Sequence, residues 1–381
     1  MSPCAHDGVR QRLAAVEQSL ADAGGELALF LVYDRPQRVG ERPGLARTFF
    51  AQRCASDAEL AQTIDAFRSV GAYVELFDGE HPLIEALASG RVEAIGRRLK
   101  VVYNGIQNYA AADGFAPGRK ALLPALADAY GLVCTNSNAY GCAIGRHKFH
   151  YLTILQALGI PAPRTWHYRA AEGWAGGHIP AHGTKVIAKS TYESWSVGVT
   201  DDSIFVVDAD CHERVAAIAD AIGQPVTVQE FIAGTEVNVP VFACPDHVVT
   251  PPVRAVLAKA PGDPAAVVTI EDNLQHAALT YERFDAPAEL IESIRGTALA
   301  AFKLLELQAF ARVDFRVDED GCPWVIDIGV EPGLAPTGSA SRSMAQLGFD
   351  HARFLRTVIG AALATRGLLP SSLARSRPTA A

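Results

Sequence analysis

The chain has 381 residues, 49% of them hydrophobic and 20% charged, with a formal net charge of -8. That length exceeds one ordinary core, so two or three lobes are expected, and the composition is that of a globular chain rather than a disordered or collagen-like one. An acidic balance without a basic block argues against nucleic acid as a partner, and no apolar run approaches the ~20 residues that span a bilayer, so no membrane partner is expected.

The opening MSPCAHDGVRQRL lacks the basic-then-apolar order of a secretory signal. The seven cysteines are odd in number, scattered and free of any CxxC, so reduced thiols and a cytoplasmic location are expected. In chain order, a first helix precedes the short apolar run Glu26 to Tyr33, which suits a buried strand. Ser56 to Val70 predicts a helix, with Ser56 as N-cap, Glu59 three residues on and Gly71 past the end. Tyr73 to Phe77, Lys100 to Tyr103 and Gly131 to Thr135 read as strands, and Ala121 to Tyr130 as a helix. Strands separated by helices indicate a parallel α/β sheet.

A helix from Arg146 ends at Gly159-Ile160-Pro161. The next region carries strand signals at Lys185 to Lys189, Gly198 to Val207, Val226 to Phe231 and Val237 to Phe242. A long helix over Pro287 to Leu305, two final strands, a loop and a closing helix over Phe349 to Arg366 complete the chain, with a disordered tail from Pro370.

The segment Arg312 to Gly329 is the most informative. Glu319 to Cys322 reads as a turn between two alternating runs. Mirroring about its centre sets Asp314 opposite Asp327, Val313 opposite Ile328, Phe315 opposite Ile326 and Val317 opposite Trp324. One face is then apolar, and the other carries Arg312, Asp314, Arg316 and Asp327. Two carboxylates directly across a strand pair, with Cβ atoms roughly 5 Å apart, either hold a divalent cation or form a solvated face offset by the two arginines. The hairpin alone leaves both readings open. The loop beyond it, Val330 to Ser339, is rich in Gly, Pro and hydroxyls, which suits close backbone approach to a ligand or a plain connection.

Only seven lysines occur. Lys148 opens a helix, and Lys189 ends a strand before the hydroxyl-rich turn Ser190 to Val199, positions from which an ammonium and a covering loop can meet phosphates or simply face solvent. Val226 to Val239 is two strands joined through Gly234, where the backbone of Glu230 and Ile232 can meet an adenine edge and Glu236 can accept from ribose hydroxyls.

In this order the segments NSNAYGCAIGRHK, LGIPAPRTW, VIAKSTYESWSVGV, VQEFIAGTEVNV, RVDF and VIDIGVEPGL resemble the ATP-grasp superfamily, in its D-alanine–D-alanine ligase-like branch. The resemblance covers roughly Lys100 to Ile359. It implies an open parallel α/β lobe over residues 1–140, a central ATP-grasp lobe over 141–233 and a C-terminal lobe with the metal site over 234–369, the two α+β lobes clamping ATP, with 370–381 as tail. It also implies that Lys148 and Lys189 contact ATP phosphates, that Ser196 and Gly198 belong to the covering loop, and that Gln229, Glu230 and Ile232 form the adenine hinge, with Glu236 as the ribose acid. Arg312 stabilises an oxyanion in this family pattern, and Asp314 and Asp327 bind Mg²⁺, with Mn²⁺ as an alternative. The activity implied is an ATP-dependent carboxylate–amine ligase acting through an acyl phosphate on small-molecule acid and amine substrates, and a homodimer is suggested.

The chain also departs from the pattern. Its metal strand reads Asp327-Ile328-Gly329 where Glu-x-Asn is usual, leaving Glu331 as either a substitute ligand or a loop acid. Ser194-Trp195-Ser196 stands where glycine and small residues are usual, and no lysine stands near Glu271-Asp272-Asn273. Asn104 to Asn108 replaces the substrate motif of the cell-wall enzyme. The ATP half is thus kept better than the amino-acid half, which favours a specialised amino-acid or peptide ligase over a true D-alanine–D-alanine ligase. A non-catalytic nucleotide binder and a phosphotransferase are the other readings. Glu41, Arg283 and Ser339 are candidate substrate contacts.

Overall fold

The structure, a computed structural model, describes residues 3–35, 45–107, 116–244, 246–275 and 278–369. Glu41 and the tail from Pro370 lie outside the described residues.

The first lobe contains α1 (Pro3–Asp22), β1 (Leu27–Tyr33), α2 (Phe50–Arg53), α3 (Asp57–Arg68), β2 (Tyr73–Asp78), α4 (Glu80–Ala88), β3 (Leu99–Gly105), α5 (Leu122–Ala129) and β4 (Val133–Cys134). Its strands form a parallel sheet in the order β2-β1-β3-β4. Every residue of β1 is buried, because both faces are covered. Leu29 and Leu31 pack with Phe67 of α3, and Phe30 and Val32 pack with Leu83 and Leu123 on the other side. An all-apolar strand is what a doubly covered parallel sheet requires.

The expected cap of α3 is present. The Ser56 hydroxyl accepts from the Glu59 N–H at 3.3 Å, and the Ser56 N–H donates to the Glu59 carboxylate at 2.8 Å. Two orphan amide donors at the helix start are thereby satisfied.

The second lobe begins with α6 (Ala139–Ile144) and α7 (Lys148–Ala157) and continues through β5 (Thr165–Arg169), β6 (Gly173–Trp174), β7 (Lys185–Ser190), β8 (Ile204–Val206), α8 (Cys211–Ile222) and β9 (Val226–Glu230). Its antiparallel sheet runs β6-β5-β9-β7-β8. The strand expected over Gly198 to Val207 shrinks to β8. Gly198 takes φ +78°, and Asp201–Ser203 forms a 3₁₀ turn capped reciprocally by Thr200 and Ser203, so the backbone bonds locally before it can pair.

The third lobe comprises β10 (Thr235–Phe242), β11 (Val248–Val249), β12 (Val253–Leu257), α9 (Ile270–Leu274), β13 (Leu279–Arg283), α10 (Ala288–Leu304), β14 (Phe310–Val317), β15 (Pro323–Gly329), α11 (Ser339–Gln346) and α12 (His351–Thr365). Its sheet runs β13-β12-β10-β14-β15. One face buries Val237, Val239, Val313 and Phe315 against α10 and against Tyr151 and Leu155 of α7, so α7 joins the third core. The closing helix α12 returns to the first lobe, where Leu355 and Ile359 join its core. Helix α11 follows the loop expected over Val330 to Ser339, in a stretch where the sequence predicts no helix. Among the described residues no helix is long and apolar enough to cross a membrane.

The hairpin β14–β15 has the expected register at Asp314↔Asp327 and Val313↔Ile328, but not beyond. A bulge follows Asp314, so Phe315 faces Val325, Arg316 faces Trp324 and Val317 faces Pro323. Ile326 is the extra residue. The turn tightens by one residue because Asp318 accepts from the Cys322 N–H and from the Trp324 indole, each at 2.7 Å, with Gly321 at φ +78°.

Replacing Ser56 by Ala removes the α3 cap and is expected to cost about 1 kcal/mol, measured by urea unfolding. An unchanged midpoint would show that the cap contributes nothing.

Candidate functional site

A cleft of about 700 Å³ opens between the three sheets. Its walls include Lys148, Lys189, Ser196, Gln229, Glu230, Ile232, Glu236, Arg312, Asp314, Asp327 and Glu331. Residues scattered over almost 200 positions therefore converge on one cavity. Gly198 is not part of the lining. It backs onto α8, where an added Cβ would lie 2.5 Å from Ile222.

The first turn of α7 supplies one wall. Lys148 donates to the Glu193 carbonyl at 2.6 Å and lies 3.5 Å from the Asp327 carboxylate. Tyr151, one turn on, donates its hydroxyl to the same Asp327 oxygen and accepts from the Ile328 N–H at 3.3 Å. Tyr151 lies outside the sequence-derived set. The signal for it is its spacing of three residues from Lys148, which puts both on one helical face. Burial works to raise the Asp327 carboxyl, but Lys148 and Lys189 outweigh it and hold the group below the usual carboxylate range.

From the strand side, the Lys189 ammonium donates to Gln229 Oε1 at 2.8 Å. Gln229 in turn reaches the carbonyl of the bulge residue Ile326 at 3.4 Å. Burial and the nearby Lys148 pull Lys189 down to about 8, against the pull of Asp327.

Strand β14 supplies a third group. Arg312 grips Asp314 through two hydrogen bonds, of 2.6 and 2.7 Å, and donates to Ser339 Oγ at 3.2 Å. Burial pushes the Asp314 carboxyl up to about 6 even with this guanidinium beside it. Asn238 of β10 pairs in register with Asp314, which pairs with Asp327, so three polar side chains stand abreast on one sheet face. Asn238 is 1% exposed, and neither polar atom of its amide has a partner among the described residues. Arg316 does not simply offset the acids. It donates to the Gly234 carbonyl at 2.7 Å and lies 3.7 Å from Glu236.

At the hinge, the Glu230 side chain turns outward to Arg164, and its N–H is taken by the Arg164 carbonyl at 2.8 Å. The Ile232 N–H has no hydrogen-bond partner among the described residues. Across the cleft, Trp195 and Ser196 hold φ values of +67° and +56°, conformations that glycine adopts more cheaply. Asn273 braces them, donating to the Trp195 carbonyl and to Ser196 Oγ, both at 3.3 Å. A lysine does reach this region: Lys259 pairs with Asp272 at 2.8 Å, from thirteen positions upstream.

Glu331 does not join Asp314 and Asp327. Its carboxylate is held by Lys120, by Arg146 at 3.0 Å and by the Asn104 amide at 2.6 Å. The chain turns after Gly329 and carries Glu331 toward the first lobe. Nearby, Glu193 pairs with Arg119 at 2.8 Å and Arg53 at 3.2 Å. Among the described residues no cluster of three His, Cys, Asp or Glu forms a metal cage. Of the other candidates, Ser339 lines the cleft, whereas Arg283 is exposed and pairs with Asp285 at 2.7 Å.

Residues 155–360, more than half of the chain, match the family described as D-ala D-ala ligase C-terminus. Among curated relatives, a D-alanine--D-alanine ligase of Actinobacillus pleuropneumoniae is 26% identical over 78% of this chain and 90% of its own. One from Rhodococcus jostii is 28% identical over 82% and 80%. Among solved structures, a D-alanine--D-alanine ligase from Bacillus anthracis superposes with a TM-score of 0.62 at 16% identity, covering 90% of this chain and 99% of that one. The same enzyme complexed with ATP gives 0.59 at 18% identity, with the same coverage.

The start of α7 also gathers three imidazoles. His147 stacks on His150 with ring centres 3.4 Å apart, and His167 lies 5.3 Å from His147. Burial pulls His147 down to about 3 and His167 to about 4. Both groups sit below their unfolded value of about 6.5, so the unfolded chain takes up protons first as pH falls. Stability is expected to drop between about pH 6.5 and 4, by up to about 1.4 kcal/mol per pH unit for each imidazole. Urea midpoints at pH 7, 6 and 5 measure the slope. His167→Phe should flatten it, and an unaltered slope would remove His167 from the account.

Proposed function

The chain belongs to the D-ala D-ala ligase C-terminus family and is an ATP-dependent carboxylate–amine ligase of the ATP-grasp fold; from this premise we propose that it joins two small amino-acid-like substrates through an acyl phosphate. The observation that carries the reading is the convergence of Lys148, Lys189, Arg312, Asp314 and Asp327 on one cleft.

In the proposed sequence the acid's carboxylate attacks the γ-phosphoryl group of ATP and displaces ADP, while Lys148 and Lys189 neutralise charge on the phosphate oxygens. The amine then attacks the carbonyl carbon of the acyl phosphate, loses a proton and expels inorganic phosphate, leaving the amide. Arg312, oriented by its two bonds to Asp314, stabilises the tetrahedral oxyanion. The braced turn at Ser194–Ser196 keeps water from the acyl phosphate. Adenine is held at the hinge by the unpartnered Ile232 N–H, and its ribose by Glu236.

Asp314 and Asp327 are the residues that hold Mg²⁺, or Mn²⁺, in this reading. Their hard-oxygen chemistry fits, since Mg²⁺ ordinarily takes one or two carboxylates together with substrate phosphates. The unpartnered Asn238 amide, abreast of Asp314, adds an oxygen on the same face. Bound there, the cation supplies charge neutralisation on the phosphates. Glu331 is left out of the set, because the chain carries it toward the first lobe, where Lys120, Arg146 and Asn104 hold it.

Three lobes over 1–140, 141–233 and 234–369 are proposed, each built round one of the sheets. The cytoplasm is proposed as the compartment, in keeping with six described cysteines that are all free thiols. A homodimer is proposed on the family resemblance, and sedimentation velocity reads it. A second reading takes its support from the relatives' names: a D-alanine–D-alanine ligase.

Purified protein with Mg²⁺-ATP, across pooled D- and L-amino acids, should release ADP only with a competent pair, giving a product mass equal to both components minus water. Release with D-alanine alone favours the second reading. Arg312→Met should lower product formation by about 10²–10³-fold and leave ATP-analogue binding within a few-fold. Normal turnover in that variant would remove the oxyanion role.

A further inference from the structure

The carboxylate of Glu331 is the centre of a buried charge cluster that none of the steps above uses. Asn104 comes from the end of β3, Lys120 from the 3₁₀ turn Pro117–Ala121, Arg146 from the link between α6 and α7, and Glu331 from the loop after β15. All four line the cleft. Asn104, Lys120 and Arg146 are 8%, 1% and 7% exposed. The Glu331 carboxylate faces two cations, so the cluster carries a surplus positive charge in a place where solvent screens it poorly.

Its hydrogen bonding is also incomplete. Arg146 Nε and Asn104 Oδ1 are buried without partners. Both residues bond the same carboxylate, Asn104 at one oxygen and Arg146 at the other, so the unspent donor and the unspent acceptor belong to groups that meet at Glu331. Leaving such atoms unmet carries a full desolvation cost. A surplus cation with a free N–H, and a free carbonyl in the same cluster, suits a carboxylate on a molecule that also carries an N–H or O–H donor. Arg146 is two residues before Lys148, and Glu331 four after Asp327, so a group bound here lies within one small molecule's reach of the phosphate-binding wall.

We propose that Arg146 and Lys120 bind a non-reacting carboxylate of a substrate, with Asn104 accepting from a donor on the same molecule. The inference rests on the ligase reading and narrows its substrate class. The carboxylate comes either from an acid with two carboxyl groups, one of which reacts, or from an amine substrate that is itself an amino acid. D-alanine as the sole acid and a simple alkyl amine as partner would leave the cluster unfilled.

The test measures ADP release with Mg²⁺-ATP over a panel of acids (alanine, aspartate and glutamate, in both chiralities) crossed with amines (alanine, alaninamide, ethylamine). The expected result is that the competent pair contains a non-reacting carboxylate. Converting that carboxylate to its carboxamide should raise KM for its own substrate by roughly 10- to 100-fold and leave KM for the other nearly unchanged. A loss on the acid arm identifies a dicarboxylic acid, and a loss on the amine arm identifies an amino-acid amine.

Arg146→Gln should erase this discrimination, and Arg146→Lys should restore part of it. Equal rates for a monocarboxylic acid with ethylamine, or an Arg146→Gln effect common to every pair, would overturn the proposal in favour of a purely structural ion cluster. Thermal shift with the same compounds and Mg²⁺-ADP separates the two claims. If no pair releases ADP but carboxylate compounds still raise Tm in the wild type and not in Arg146→Gln, the ligase reading falls and the subsite stands. If ADP is released and carboxylates give no such shift, the subsite falls and the ligase reading stands.

Discussion

The docking of α7 onto β15 is the contact on which the rest of the cleft depends. Tyr151 is fully buried in the third core and bonds both the Asp327 side chain and the Ile328 N–H. Because a helix is rigid over one turn, fixing Tyr151 also fixes Lys148 beside Asp327. The second lobe's sheet is tied to the same point through Lys189, Gln229 and the Ile326 carbonyl. A half-buried carboxylate between two ammonium groups is costly to leave unpaired, so the pairings that set the charge pattern of the site also hold α7 and both antiparallel sheets in register.

Much of this was legible in the chain itself, and the limits are physical. Strand β1 and the capped α3 could be read because their signals are local: an unbroken apolar run, and a hydroxyl three residues before an acid. The facing of Asp314 and Asp327 could be read because strand alternation has period 2. The bulge could not, since it arises from side chains of Asp318 and Trp324 that reach back across the turn. Helix α11 was hidden because a stretch of Ser, Ala and Arg next to a Gly/Pro loop has little apolar periodicity, and its burial comes from packing against distant strands. Gly198 carries a further constraint that spacing does not reveal: its neighbours line the cleft, while the glycine itself takes φ +78° and backs onto α8.

The fate of Glu331 has the same origin. Sequence places it two residues after Gly329, near enough to stand in for a missing ligand. Tertiary structure gives it other partners, because Lys120 and Asn104, more than 200 positions upstream, present donors that strand spacing cannot reveal. Charge is what separates the two ends of the cleft. Toward the third sheet, acids and cations balance closely around Asp314 and Asp327, whereas toward the first lobe cations gather on Glu331 and Glu193.

The bulge at Ile326 has a consequence for how this hairpin packs. Between the turn and the bulge the two strands keep one pairing register, and between the bulge and Gly329 they keep another. The extra residue acts as a slip joint. The tight turn at Asp318–Cys322 thus sets the pairing of the outer residues without moving Asp314 from its place opposite Asp327. The outer end of the hairpin can therefore pack Phe315, Val317 and Val325 into the third core in its own register, while the inner end keeps the carboxylates aligned.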